Sequence, residues 1–193
     1  MTAWGAWLRV GSLLGQWRCN PHLRTLNLLV LDVDGVLTDG GLWTTESGEV
    51  IKRFDVRDGL GIRLLQQAGL EVALLSGGKS GATEQRARYL GIRHCVTGVK
   101  DKAAALDALQ RSLGVAPEQT AYVGDDLNDL AVRPVVGLLI APADAVAPLR
   151  RQADWVLSRR GGDGAVRGLA EAILQARGLW NPLASRGWRE RND

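Results

Sequence analysis

Asp32 and Asp34 stand one residue apart at the end of an apolar run, Leu28-Leu29-Val30-Leu31, and Gly35 follows at once, with Thr38-Asp39-Gly40 beyond it. In a strand, period-two geometry points Asp32 and Asp34 to the same side, while a turn starting at Gly35 lets them diverge around one small substrate. Two carboxylates at such a strand end repel each other unless a cation or a shared proton intervenes. That pairing suits a carboxylate nucleophile with a neighbouring acid/base, working on phosphate with Mg2+. An ordinary Asp-Gly turn is the competing reading, but a turn does not require an apolar run before it.

Three later segments repeat the theme of polar residues directly after an apolar strand. They are Val72-Ala73-Leu74-Leu75-Ser76-Gly77-Gly78, then Gly98-Val99-Lys100-Asp101-Lys102, then Tyr122-Val123-Gly124-Asp125-Asp126-Leu127-Asn128-Asp129. With the first segment, these four in order resemble the motifs of the haloacid dehalogenase superfamily of phosphohydrolases over roughly residues 26–178. The resemblance matches Ser76 to that family's second motif, Lys102 to its third and Asp125 to its fourth. Within the superfamily the chain is most similar to the 3-deoxy-D-manno-octulosonate 8-phosphate phosphatases. The segments that carry this likeness are 32–40, Lys52-Arg53-Phe54-Asp55-Val56-Arg57-Asp58-Gly59-Leu60-Gly61-Ile62 and Gly161-Gly162-Asp163-Gly164-Ala165-Val166-Arg167. One position departs from the pattern: Gly78 stands where relatives usually carry Arg, and Lys79 is a partial substitute.

The resemblance implies two-step phosphoryl transfer through an aspartyl-phosphate. Asp32 would attack phosphorus, and Asp34 would protonate the leaving oxygen and later deprotonate water. Mg2+ would be held by Asp32, the backbone carbonyl of Asp34, and Asp125. Ser76 and Lys102 would bind phosphoryl oxygens. Asp126, Asn128 and Asp129 would ligate or orient from further out, or simply start a helix. Gly77 and Asn128 fall beside the expected substrate, and Arg57, Arg86 and Arg167 either anchor a substrate carboxylate or form surface ion pairs. The implied substrate is a small phosphorylated acidic sugar, and the implied assembly is a homotetramer.

Positioning these residues is the task of alternating strands and helices. Strands are expected at 26–33, 72–75, 94–99, 121–123, 136–140 and 155–157, and helices at 58–67, 80–90, 102–113, 143–152 and 165–176. Short connections between them predict an α/β fold, a three-layer Rossmann-like parallel sheet with helices on both faces. Ligands in such sheets sit at the carboxyl ends of the strands, where all four segments fall. Between Asp39 and Asp58 the pattern reads as a β-hairpin turning at Glu46-Ser47-Gly48-Glu49. It is a small β-hairpin insertion rather than a cap domain, so the site is open to solvent, and either a large substrate supplies its own cover or another subunit does.

Composition sets the outer bounds. The chain has 193 residues, 46% hydrophobic and 23% charged, with a net charge of +3. This suits one folded domain at 26–178, with an N-terminal helical extension at 1–25 and a tail at 179–193. Basic residues are dispersed, so no nucleic-acid partner is expected. Cys19 and Cys95 are too few for a disulfide framework or metal cluster, which points to a reducing compartment and a cytoplasmic protein. Trp4, Trp7, Leu8, Leu14 and Trp17 recur near helical spacing, but the stretch is glycine-broken, too short for a membrane span and without signal-peptide features. A packing or interface helix is the expectation there. The rival functions are a broad-specificity, protein or polynucleotide phosphatase, and a non-catalytic interaction subunit.

Overall fold

Every residue of the run Leu28–Leu31 (β1) is buried, and its two faces feed two different cores. In this computed structural model, which describes residues 15–16, 19–79 and 81–187, Leu29 and Leu31 point into one cluster with Ile62, Leu65, Val166 and Ile173. Leu28 and Val30 point into the other, with Leu106, Tyr122, Val132 and Leu139. A strand covered on both faces must be apolar throughout rather than alternating, which is why the run is unbroken.

The remaining elements are β2 (Trp43–Thr44), β3 (Val50–Ile51), α1 (Val56–Gln67), β4 (Glu71–Leu75), α2 (Gly81–Tyr89), β5 (His94–Val96) and α3 (Lys102–Leu113). They continue with β6 (Thr120–Val123), a 3-10 segment (Leu127–Val135), β7 (Leu138–Ala141), α4 (Ala147–Gln152), β8 (Trp155–Val156), α5 (Ala165–Ala176) and α6 (Trp180–Arg186). Six strands form one parallel sheet in the order β5-β4-β1-β6-β7-β8. The chain leaves β1 toward β4 and β5, then returns to its other side at β6. The crevice between these two directions opens above the carboxyl ends of β1, β4 and β6.

The expected elements are all present among the described residues, and their ends moved for local reasons. β1 stops at Leu31 because the Val33 carbonyl turns inward to accept from the backbone of Val36, Leu37 and Thr38. α1 begins at Val56, two residues early, because the Asp55 carboxylate caps the Arg57 amide at 2.7 Å. α4 begins only at Ala147, four residues late, because the Ala143 amide is drawn to Arg159 and Pro148 suits a helix start. β2 and β3 pair as a separate antiparallel hairpin, Trp43 opposite Ile51, and Gly48 supplies the positive φ of its turn. No cap domain occurs among the described residues. Residues 19–25 are helical and place Cys19 and Leu23 in the core. The stripe Trp4, Trp7, Leu8, Leu14 and Trp17 lies outside the described residues, as do Ser80 and Trp188. Among described helices none is long and apolar enough to cross a membrane.

The Gly161-to-Arg167 segment braces the turn that follows β1. The Gly162 amide donates to the Val36 carbonyl at 2.9 Å, and a Cβ at Gly161 would lie 1.8 Å from the Gly35 carbonyl oxygen. The start of α5 lacks a side-chain cap of its own; Asp58, buried in α1, accepts the Arg167 amide at 2.7 Å instead. These contacts generate a paired expectation. Gly161→Ala should destabilise the protein by about 3 kcal/mol, read as a sharply lower urea midpoint, since backbone cannot yield to the added carbon. Gly168→Ala, mid-helix with open space around its Cβ, should instead stabilise by roughly 0.5–1 kcal/mol. Indistinguishable midpoints for the two variants would contradict this packing.

Candidate active site

Asp32 is the first residue past β1, 5% exposed, with its carboxylate held on both sides. One oxygen accepts the Val33 amide at 2.7 Å and the other accepts the Lys102 ammonium at 2.8 Å. Lys102 is the first residue of α3, whose start is fixed by the Asp101 carboxylate capping the Ala104 amide. From there the lysine reaches inward and also donates to Asp129 at 2.6 Å. Asp129 is fully buried. Its Oδ1 accepts from Lys102 and the Tyr122 hydroxyl, while its Oδ2 accepts the amides of Asp125 and Asp126. Asp126 completes the junction by capping the 3-10 segment reciprocally with Asp129.

Glycine is required where these groups crowd the backbone. A Cβ at Gly124 would sit 2.5 Å from that of Asp129, and one at Gly35 would sit 1.9 Å from the Asp125 carboxylate. Gly35 also has φ +78°, so it serves the turn and the close approach together. Thr38, fully buried, ties the turn shut: its hydroxyl accepts the amides of Gly35 and Gly40. Ser76 is the first residue past β4, and its hydroxyl accepts the Gly78 amide at 3.2 Å, shaping the loop at the cleft. Asp32, Asp34, Gly77, Gly78, Asp125 and Asn128 are among the residues lining that cleft, of about 680 Å³.

The electrostatics are those of crowded acids. Burial pushes Asp125 up to about 7, with the charges of Asp129, Asp32 and Asp126 adding to it. Burial, then Asp129, push Asp32 up to about 6 against the opposing pull of Lys102. Burial alone would lower the Lys102 ammonium, but Asp32 and Asp129 together hold it above its ordinary value. Oxygens of Asp32, Asp125 and Asp129 lie within 4.8 Å of one another, an all-oxygen set that suits a hard divalent cation. Because the oxygens of Asp129 are already taken by four donors, Asp32 and Asp125 are the members free to ligate.

The first, second, third and fourth motifs therefore meet in space. The family model for haloacid dehalogenase-like hydrolases matches residues 53–132. A 3-deoxy-D-manno-octulosonate 8-phosphate phosphatase from Salmonella typhimurium is 45% identical over 163 residues, which are 82% of this chain and 87% of that protein. The chain belongs to the haloacid dehalogenase-like hydrolases. The crystal structure of the Yersinia pestis phosphatase of the same name covers 83% of this chain and 87% of its own, at 42% identity and a TM-score of 0.82. That of the Moraxella catarrhalis phosphatase, in complex with magnesium, phosphate and KDO, covers 87% and 97%, at 34% identity and a TM-score of 0.84.

No arginine is among the described residues lining the cleft. Arg57, Arg86 and Arg167 line a second cavity of about 300 Å³ over α1 and α2, together with Arg63 and Tyr89. Their charges are largely engaged there. Arg57 pairs with Asp55 and Asp163, Arg167 with Glu171, and Arg86 lies over the rings of Phe54 and Tyr89 while donating to the Asp55 carbonyl. Beside Gly78 the cation is not Lys79, which is exposed and lies over Gly98, but Lys52. The sequence reading did not single out Lys52, although its segment had been noted; nor did it find Tyr122, whose apolar neighbours mark it as core.

In the metal-free protein these acids give a pH dependence of definite sign. Folded Asp125 and Asp32 titrate near 7 and 6, above the ordinary 3.8, so the folded state holds more protons across that window. Stability from these groups is therefore lost as pH rises from about 4 to about 7. Asp125→Asn should raise the melting temperature of the metal-free protein near pH 8 by several degrees, at about 2–4 °C per kcal/mol, and change it little near pH 4. An equal shift at both pH values would contradict the assignment.

Proposed function

We propose that the chain is a Mg2+-dependent phosphatase that acts through an aspartyl-phosphate on 3-deoxy-D-manno-octulosonate 8-phosphate or a closely similar acidic sugar phosphate. The observation that carries the reading is the buried Asp32–Lys102–Asp129 cluster, whose Asp32 lines the same cleft as Asp34 and Asp125. The named activity of relatives about 45% identical over most of their length supports the substrate.

Each side chain has a task consistent with its surroundings. Asp32 is oriented by the Val33 amide and Lys102 so that one carboxylate oxygen can attack phosphorus in line. Asp34, 35% exposed and lining the cleft, gives a proton to the leaving sugar oxygen and then takes one from water. Ser76 and Lys102 receive the charge that develops on the phosphoryl oxygens. Asp32, Asp125 and the Asp34 backbone carbonyl would hold Mg2+, which when bound offsets the charge of the carboxylates and of the phosphoryl oxygens. Gly77 and Asn128, both exposed on the rim, would meet the sugar. Arg57, Arg86 and Arg167 line the other cavity.

The cleft lacks a lid among the described residues, and the hairpin presents Leu42, Trp43 and Ile51 at 58%, 71% and 54% exposure. Such a two-stranded sheet has unpaired edges and an uncovered apolar face, which supports assembly with further copies of the chain, a homotetramer in our reading. No membrane partner enters this scheme, and a cytoplasmic setting suits it.

Exhaustive chelation should abolish hydrolysis, with Mg2+ restoring it; activity that survives chelation would remove the metal from the mechanism. The acidic eight-carbon sugar phosphate should exceed glucose 6-phosphate in kcat/KM by about 10²-fold or more. Comparable values would point to a broad-specificity phosphatase. Light scattering should give the mass of four chains, and a fully active monomer would refute the assembly.

A further inference from the structure

Lys52 follows directly on β3, at the point where the hairpin returns to the body, and its side chain is only 2% exposed. Burying an ammonium is costly unless an anion meets it. Its Nζ donates to Asp34 Oδ2 at 2.9 Å and lies 2.8 Å from Oδ1, so the cation spans both carboxylate oxygens. A third contact, to the hydroxyl of Thr83 on α2 at 3.3 Å, fixes it from the other side. Thr83 is fully buried. Lys52 does not line the cleft, whereas Asp34 does.

Apart from Lys52, no donor among the described residues meets the Asp34 carboxylate. It lies at the mouth of the turn, and on the neighbouring side Gly78 offers no side chain; a Cβ there would come within 3.3 Å of Asp34 Oδ2. A carboxylate free to rotate would spend little time in line with a leaving oxygen, and general acid/base catalysis is sensitive to that geometry. We propose that Lys52, anchored by Thr83, is a positioning residue that holds the Asp34 carboxylate toward the leaving group. Lys52 touches no reacting atom and acts only through Asp34. The proposal rests on the acid/base role given to Asp34 above, but not on the identity of the sugar.

The test is the dependence of kcat/KM on the leaving group, with 4-nitrophenyl phosphate, phenyl phosphate and a simple alkyl phosphate as substrates and saturating Mg2+. A good leaving group needs little proton donation, whereas an alkoxide needs it fully. Lys52→Met should therefore lose about 10²-fold or more on the alkyl ester and only a few-fold on 4-nitrophenyl phosphate. Thr83→Val, which deletes the anchor and keeps both charges, should steepen the series in the same direction to a smaller extent; it carries the test if Lys52→Met does not fold. In Asp34→Asn, adding Lys52→Met should cost almost nothing more. Equal losses across the series, or losses that multiply in the double variant, would overturn the role of Lys52. A flat series in Asp34→Asn itself would instead overturn the acid/base role, so the two failures are told apart.

Discussion

Three carboxylates and one ammonium crowd together at the cleft, Asp32 and Asp125 lining it with Asp129 and Lys102 buried behind them, and the fold around them is organised by that crowding. Asp32 and Asp129 both bind Lys102, and Asp125 stands against Gly35 with its carboxyl pushed up to about 7. In a low-dielectric interior such acids repel strongly, and Asp32 and Asp129 are held by surrounding donors. The donors are the amides of Val33, Asp125 and Asp126, the Tyr122 hydroxyl and Lys102. All of them come from the carboxyl ends of β1 and β6, or from the start of α3. The same acids that destabilise the metal-free protein make a site for a divalent cation.

The glycines of the motifs follow from the same crowding. Gly35, Gly124 and Gly161 stand where an added carbon would enter a carboxylate or a carbonyl. The Gly161-to-Arg167 segment, which the sequence tied to substrate by resemblance alone, braces the turn after β1 and starts α5 on the buried Asp58. It packs against the cleft-lining turn at Gly35, and these tight backbone contacts are what its glycines serve. Lys52 extends this scaffolding to Asp34, a cleft carboxylate more exposed than Asp32.

Much of this was legible in the sequence because burial on both faces writes an unbroken apolar run. β1, β4, β6 and β7 could each be found that way, and the polar residues after β1, β4 and β6, with Lys102 at the start of α3, converge once a parallel sheet is assumed. What could not be read was long-range pairing. Lys52 and Asp34 are separated by the whole hairpin, and no spacing rule joins them. Arg57, Arg86 and Arg167 share a cavity whose lining differs from that of the cleft, and side-chain direction of this kind depends on helix packing that periodicity does not encode. Pro148 and the early cap at Asp55 shifted helix ends by local chemistry that short patterns understate.

The central claim is that Asp32 is the nucleophile. Acid quenching of the Mg2+-loaded enzyme during turnover, followed by mass spectrometry of its peptides, measures this directly. The account predicts one added phosphoryl group on the peptide that contains Asp32, formed and lost at rates no slower than turnover. A turning-over enzyme in which that peptide stays unmodified, or in which the phosphoryl group resides on another residue, would contradict it.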